Sequence, residues 1–159
     1  YYSNMDHANA SDFYYFSNDY FFELRKRLGE HLMLVHVKKD GVIYCSSLFF
    51  LESGIITYYL SGRNVEFPNV PSNYYVLGMV IKWGVANGFE LINLGGGRTV
   101  ALDDNLFKFK SHFSQLNTSF FTGKRIHAKG IYEMLKDDFI IKNGLDGFQR
   151  KQHLLQFYR

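Results

Sequence analysis

Two hydrophobic periods follow one another in the first third of the chain. Over residues 19–28, apolar side chains recur at the spacing of one helical face, and Gly29 is a common helix stop. From residue 31 the side chains alternate between two faces instead. This period of two predicts β-strands over 31–38, 42–51 and 55–60.

Turn residues separate these strands. Asp40-Gly41 and Ser53-Gly54 are dipeptides that favour tight hairpin turns, because glycine adopts positive φ without steric cost. The three strands are therefore expected to form an antiparallel meander.

A helical period returns after a linker. Both prolines of the chain lie within residues 61–71, which argues against long regular structure there. Ser72 or Asn73 can cap the helix that follows, which ends at Gly88. We expect its inward face to be Leu77, Val80, Ile81, Gly84 and Val85. A strand over 89–94 comes next, and this strand–helix–strand order predicts a right-handed parallel crossover.

Further elements follow this crossover. Asp103 or Asp104 is placed to cap a phenylalanine-rich helix. Residues 118–126 are interpreted as another strand, and residues 131–135 as part of a short helix. The last fifteen residues are expected to form a weak helix.

This order of elements predicts an α+β (mixed α/β) fold, in which a central, mostly antiparallel sheet has one parallel crossover and helices on both faces. One domain is expected over 19–142, between an irregular segment over 1–18 and a tail or weak helix over 143–159. Since the sequence opens on Tyr1 instead of Met, we expect residues 1–18 to continue an upstream region.

Composition narrows the class of protein. A chain of 159 residues with 16 Phe and 12 Tyr can bury a sizeable core, which argues against disorder. The net charge of +3 permits local phosphate binding, but is far below the basic excess of a dedicated nucleic-acid binder. Cys45, the only cysteine, lies in an alternating apolar run, so we expect a buried free thiol and a cytoplasmic location. No apolar run reaches the roughly 18–20 residues of a membrane helix.

The most informative segment for function begins at the end of the 89–94 strand. It contains Gly95, Gly96, Gly97 and Arg98, followed on the next helix by Lys108 and Lys110. Glycine lets the backbone approach a ligand closely, and the cations supply charge beside it. We interpret the segment as the floor of a site for an anionic ligand, with a plain loop and a surface helix as the alternative.

Four short sequence motifs follow one another along the chain. They are YYLSG at 58–62, the helix opened by Asn73, LGGG at 94–97 and FKSHFS at 109–114. In this order and spacing, residues 19–125 resemble the Fem-type (FemAB-like or BioF2-like) branch of the GNAT acyltransferase superfamily. The most specific part of the resemblance is the glycine-rich strand end followed by the phenylalanine–lysine helix.

The resemblance implies transfer of an activated acyl group to an amine. In the Fem branch the donor is an aminoacyl-tRNA and the acceptor is an amine on a peptidoglycan precursor, whereas the wider superfamily uses acyl-CoA. No permanently bound cofactor is implied. The stretch SGRNVEFPNVPS over 61–72 departs from the glycine-rich phosphate loop of acyl-CoA enzymes. Fem-type enzymes also resemble two such domains side by side, so we expect the acceptor groove of this single domain to be incomplete.

Catalytic and binding roles follow from the same resemblance. Lys110 matches the lysine of the phenylalanine–lysine motif, which implies contact with donor phosphate or with the acyl oxygen; Arg98 and Lys108 are second choices, with solvated charge as their alternative. Asn73 matches the residue at the helix start, and its alternative is a plain helix cap. The oxyanion donors are expected to be backbone amides over 57–60.

Three other side chains are candidates. Glu52 is a possible general base acting through a water molecule, although a turn carboxylate is more often a solubilising charge. Tyr58 and Tyr59 point to opposite faces of a strand, so we expect one of them to contact substrate and the other to pack.

Three functional hypotheses remain open. The first is a Fem-type aminoacyltransferase with a cell-wall precursor and tRNA as partners; the second is an acyl-CoA-dependent N-acyltransferase of an amino sugar or amino acid; the third is a non-catalytic binding domain that retains the fold. The sequence has no histidine or cysteine spacing typical of zinc sites, no nucleophile elbow and no Walker motif. No metal site is therefore predicted.

Overall fold

The computed structural model describes residues 1–99, 101, 103–121 and 123–158. The helices are α1 (Tyr2–His7), α2 (Asn18–Leu28), α3 (Ser72–Ala86), α4 (Asn105–Ser111) and α5 (Lys129–Lys151). The strands are β1 (Leu32–Lys39), β2 (Val42–Glu52), β3 (Ile55–Arg63) and β4 (Leu91–Asn93). Single 3-10 turns lie at Asp12–Tyr14 and Gly29–His31. No helix among the described residues is long and apolar enough to cross a membrane.

The predicted antiparallel meander is present. β1 pairs with β2, and β2 with β3, both antiparallel. Asp40 and Gly41 have φ of 49° and 82°, and Ser53 and Gly54 have φ of 51° and 76°. Consecutive residues at positive φ match the twist of the flanking strands, which is why these turns form tight hairpins.

The crossover is also confirmed. β4 pairs with β3 in parallel, through Ile55 with Leu91, Ile56 with Ile92 and Thr57 with Asn93. The strand order is β1-β2-β3-β4. α3 connects β3 to β4, so the sheet is antiparallel except at its last pair and the predicted fold class is correct.

α3 covers one face of the sheet and provides half of the fully buried core there. Buried Val76, Leu77 and Val80 pack with Cys45, Phe49 and Ile56 of the strands. Val85 was expected to face inward but is 75% exposed, because the helix turns its Val76 side toward the sheet instead. Gly84 is buried, and a Cβ there would lie 2.7 Å from Ile56 Cδ1, so the glycine allows the helix to approach β3 closely.

The opposite face carries α1 and α2. α1 contacts β3, α2 contacts β1, and Phe21 of α2 lies near Leu34 and Leu48 of the sheet. α2 is capped by the Ser17 hydroxyl, which accepts from Tyr20 N, and it stops at Gly29 with φ of 52°. Helices therefore lie on both faces, as predicted.

Two details of the predicted secondary structure are wrong. Neither Ser72 nor Asn73 caps α3, since Pro71 occupies the N-cap position and both side chains make contacts elsewhere. The described residues of 118–126 form no strand, because they pair with no sheet edge; Thr122 lies outside the described residues. Phe120 and Phe121 are 90% and 85% exposed there.

The chain divides into two compact units, Tyr1–Gln115 and Leu116–Arg159. In the second unit α5 is interrupted at Gly144, whose φ of 74° and ψ of 165° are not helical. Phe157 is fully buried in this unit and packs edge-on against Tyr132, Phe139 and Phe148. The short helix predicted around 131–135 is thus the start of a longer one.

Candidate functional site

β3 and β4 separate after a short paired stretch. Their pairing ends at Thr57 and Asn93, while β3 continues to Arg63. Beyond Thr57, this edge of β3 has no strand partner among the described residues. The backbone predicted to supply oxyanion donors, 57–60, lies at this point of divergence.

β3 has an irregularity at the same place. Leu48 pairs with Leu60, but Phe49 pairs with Tyr58, so Tyr59 is an extra residue opposite β2. Such a bulge bends the strand locally and re-aims its side chains. The two predicted tyrosines consequently face different surroundings.

Tyr58 and Tyr59 lie on opposite faces of the sheet, as the alternation predicts. Tyr59 packs against Phe50 with tilted rings whose centroids are 4.4 Å apart, and its hydroxyl is hydrogen-bonded to that of Tyr20. Burial, followed by this hydrogen bond, raises the pKa of Tyr59. Tyr58 lies on the α3 face and stacks on buried Phe49.

Small polar side chains form a buried cluster around Tyr58. Ser47 Oγ and Ser61 Oγ are 2.8 Å apart, and Asn73 Oδ1 accepts from Cys45 Sγ at 2.9 Å and from Ser61 Oγ at 3.4 Å. Cys45 is 1% exposed and makes no disulfide, as predicted. Burial raises the pKa of Tyr58, and hydrogen bonds from the Ser61 and Ser47 hydroxyls partly oppose that rise.

Ser47 and Ser61 were not among the predicted site residues. The available signal was the alternation of β2, in which Cys45 and Ser47, both small and each carrying a group that can hydrogen-bond, occupy positions that face the core. Buried polar groups require partners, so two such positions on one strand face indicate a polar cluster.

Lys110 reaches this region from α4. Its Nζ donates to Gly96 O at 2.7 Å and lies 5.7 Å from the centre of the Tyr58 ring. Burial lowers the pKa of Lys110, and the charge of Asp104 opposes part of that shift. The ammonium group is half-buried and keeps donors beyond the one that Gly96 uses.

Asp104 holds the glycine loop against α4. Its carboxylate caps the helix by accepting from Phe107 N at 2.9 Å, and also accepts from Arg98 N at 3.1 Å and Thr99 N at 3.2 Å. These backbone hydrogen bonds, that of Phe107 first, lower the pKa of Asp104. The cap predicted at Asp103 or Asp104 is therefore made by Asp104.

The three glycines differ in their surroundings. Gly95 has φ of 68°, and a Cβ there would lie 3.5 Å from Lys110 Nζ. Gly96 is exposed, and nothing lies within 4 Å of its Cβ position. A Cβ at Gly97 would lie 2.5 Å from Asp104 Oδ1. Gly97 thus serves loop packing, whereas Gly96 is the glycine with open space around it.

The other predicted residues lie at the edges of this arrangement. Arg98 and Lys108 are exposed, and among the described residues neither side chain has an ion-pair partner. Glu52 is exposed at the end of β2, where it pairs with Ile55. The structure brings together Tyr58, Asn73 and Lys110.

A hydrogen-bonded tyrosine–histidine pair links α3 and α4 near this region. Tyr74 Oη and His112 Nδ1 are hydrogen-bonded at 2.7 Å, which joins the first turn of α3 to the end of α4. The Tyr74 ring packs against Phe109 and Phe113 at 4.9 Å and 5.5 Å. This contact fixes α4, and hence Lys110, relative to α3.

The start of α3 has few amides to offer a phosphate. Ser72 N donates to Val70 O at 2.7 Å, and Tyr74 N donates to Pro71 O at 3.0 Å. These amides are therefore already bonded to carbonyls of the 61–72 segment. In acyl-CoA enzymes, a phosphate-binding loop is expected at this position. Within the described part of the chain, no group of His, Cys, Asp and Glu residues could hold a metal ion.

Two solved structures resemble this fold. The structure of AAC(6')-Iy in complex with the bisubstrate analogue CoA-S-monomethyl-acetylneamine covers 69% of this chain and 82% of its own, at 14% identity and a TM-score of 0.51. The aminoglycoside N-acetyltransferase AAC(6')-Iy in complex with CoA covers 69% and 93%, at 15% identity and a TM-score of 0.44. No protein-family model matches the chain, and no curated protein matches it in sequence.

The first of these likenesses shows the fold. The chain has the same fold as AAC(6')-Iy, which confirms the expected fold class. The comparisons give no support to the narrower Fem-type assignment.

Proposed function

We propose that this protein is an acyl-CoA-dependent N-acyltransferase. The observation that carries the proposal is the edge of β3 beyond Thr57, which pairs with no strand among the described residues and is flanked by Tyr58, Asn73 and Lys110. An acyl group laid along such an edge can receive hydrogen bonds from backbone amides at its carbonyl oxygen. Fixed donors of this kind stabilise the oxyanion that forms during acyl transfer.

The reaction is the aminolysis of a thioester. The amine nitrogen forms a bond to the carbonyl carbon, the carbon–sulfur bond breaks, and the departing thiolate takes up the proton that the amine releases. Positioning the two reactants contributes most when both are held in attack geometry.

Each side chain of the site has a proposed part in this step. Lys110 uses a remaining N–H to bind the acyl oxygen, since its first goes to Gly96. Asn73 turns its oxygen toward Cys45 and Ser61, so its amide nitrogen is left to donate to the polar arm of the donor. The Tyr58 hydroxyl, held by two serines, borders the thioester.

Arg98, Lys108 and Glu52, which lie at the edge of the site, also have proposed roles. Arg98 and Lys108 flank the exposed Gly96 and are proposed to contact donor phosphates. Glu52 is proposed as a base that acts through water. The acceptor is an amine-bearing small molecule such as an amino sugar or amino acid, and the cytoplasm is the proposed location.

Support for coenzyme A comes from the solved structures with this fold. The AAC(6')-Iy complex contains a bisubstrate analogue built on CoA, and that protein is an aminoglycoside N-acetyltransferase. A donor of this type would occupy the side of the sheet on which α3 and α4 lie.

The second candidate is Fem-type transfer from an aminoacyl-tRNA to the amine of a peptidoglycan precursor. The start of α3 favours it, because Ser72 N and Tyr74 N are already bonded to the loop and are not free for a pyrophosphate. The sequence motifs that resemble the Fem branch in their order and spacing favour it as well.

Binding and transfer assays with the two kinds of donor distinguish these candidates. Purified full chain is titrated with CoA in a calorimeter and is then incubated with labelled acetyl-CoA or with charged tRNA, each with amino sugars, amino acids and a cell-wall precursor. We expect CoA binding and acetyl transfer. Lys110→Met should weaken the transfer, because its ammonium is proposed to bind the acyl oxygen, whereas CoA itself has no acyl group; Lys82→Met, an exposed lysine on α3, should change neither. Transfer from charged tRNA alone would establish the second candidate. If neither donor binds or reacts, we would conclude that the protein is a non-catalytic binding domain.

A further inference from the structure

A cavity lies on the face of the sheet opposite the candidate active site. It has a volume of about 410 Å³ and is bounded by α2 and by strands β1 to β3. Its floor is made by Leu34, Leu48 and Leu60, and Phe21 of α2 forms a wall. Cavities of several hundred Å³ with apolar walls and few polar groups are the usual form of small-molecule sites.

This cavity and the candidate active site lie on opposite faces of the sheet and have one residue, Ser61, in common. The side chains of Cys45, Ser47 and Phe49 face α3, so those of Ser46 and Leu48 face α2. Ser61 is shared between the two sites: its hydroxyl joins the polar cluster, and the residue also lines the cavity.

The charge at the cavity is of one sign. Arg25 and His36 are the ionisable side chains among its lining residues apart from tyrosine, and no carboxylate is among the described residues that line it. His36 is held by a hydrogen bond of 2.8 Å between its Nδ1 and Ser46 Oγ. An apolar cationic ligand would therefore find no counter-charge, whereas an anion would.

Arg25 is available to pair with such an anion. Its neighbours on α2 are already engaged, since Lys26 and Arg27 lie 3.7 Å and 3.1 Å from the carboxylate oxygens of Glu23. Arg25 has no carboxylate partner among the described residues. A guanidinium group presents a planar fork of donors that matches a carboxylate with two parallel hydrogen bonds.

We propose that this cavity binds a small amphipathic carboxylate, whose hydrocarbon part lies on Leu34, Leu48 and Leu60 and whose carboxylate pairs with Arg25. The apolar floor supplies affinity in proportion to the area that it covers, and the arginine fixes the orientation. Selectivity for anionic over cationic head groups follows because none of the described residues that line the cavity carries a carboxylate.

The test uses two probes of equal chain length and opposite charge, octanoate and octylammonium, below their micellar concentrations. Binding to the full chain is measured by calorimetry. We expect saturable octanoate binding and none of octylammonium. Arg25→Gln should weaken octanoate binding about tenfold or more, because it removes a charge-assisted hydrogen bond. Arg27→Gln, on the same helix but paired with Glu23, is the matched control and should leave binding unchanged.

Introducing a carboxylate into the lining tests the charge preference of the cavity independently. Leu34 is half exposed at the cavity, so Leu34→Glu should be tolerated by the fold while it places a carboxylate in the lining. This variant should lose octanoate and gain octylammonium. Equal binding of both probes to the wild-type chain, or equal losses in Arg25→Gln and Arg27→Gln, would overturn the proposal. So would a chain that binds no octanoate and sediments as a dimer, since a second copy would then cover the cavity.

Discussion

Gly97 is the position at which one methyl group should disturb the candidate site most. A Cβ there would lie 2.5 Å from Asp104 Oδ1, 2.7 Å from Asp104 Cγ and 3.1 Å from Phe107 Cβ. The carboxylate cannot simply rotate away, because it accepts from the backbone N–H groups of Phe107, Arg98 and Thr99. Gly97→Ala must therefore break the α4 cap or push the loop off the helix.

The expected cost follows from this geometry. Inserting one carbon into a well-packed contact typically costs about 1–3 kcal/mol. We expect Gly97→Ala to lower the free energy of unfolding by about that amount. Gly96→Ala is the matched control, since nothing lies within 4 Å of its Cβ position and its φ is not positive. It should change stability by about 0.5 kcal/mol at most.

Trp83 provides the assay. It is the only tryptophan of the chain, lies on α3 and packs against Phe89 with centroids 5.5 Å apart. Its fluorescence during a urea titration therefore reports unfolding of the Tyr1–Gln115 unit. Hydrogen exchange of the Arg98 and Thr99 amides should accelerate in Gly97→Ala alone. If both alanine variants unfold at the same urea concentration and protect these amides equally, the proposed role of Gly97 is wrong.

Three further outcomes are expected. Leu77→Ala should lower the free energy of unfolding by about 2–5 kcal/mol, because Leu77 is fully buried, whereas Met79→Ala, at a 60% exposed position, should have little effect in the same urea titration. Cys45 should react with a thiol reagent only through unfolding, so its native labelling rate should rise with urea; fast labelling without urea would contradict its burial. Burial lowers the pKa of Lys110 below 10.5, so as pH rises the folded chain loses this proton before the unfolded chain does, and stability relative to Lys110→Met should increase through the folded pKa. Nitrogen NMR of the Lys110 ammonium measures that pKa directly, and a value at or above 10.5 would refute the effect.

Elements set by local chemistry could be predicted from the sequence. Asp40 and Ser53 each precede a glycine and take positive φ, so both hairpins follow from the turn residues alone. Gly29 ends α2, and Asp104 caps α4 through a hydrogen bond within its own first turn. Each of these features depends on residues that are near one another along the chain.

Features that depend on distant partners could not be predicted in this way. Asn73 fits a helix cap by sequence, yet its oxygen accepts from Cys45 and Ser61 because the sheet places them beside the first turn of α3. Val85 fits the apolar period of α3, but the helix packs through Val76. Residues 118–126 have strand-forming composition but no edge to pair with in the described structure.

The bulge at Tyr59 explains why the site itself was only partly visible in the sequence. In an unbroken strand, Tyr58 and Leu60 would share a face, and Ser61 would point to the other side. The extra residue shifts the register, so Leu60 pairs with Leu48 while Ser61 pairs with Ser47. Directly opposite residues share a face, and the shift therefore brings Ser61 to the side of Tyr58 and moves Leu60 to the apolar cavity. One inserted residue thus creates the polar cluster on one face and completes the leucine floor on the other.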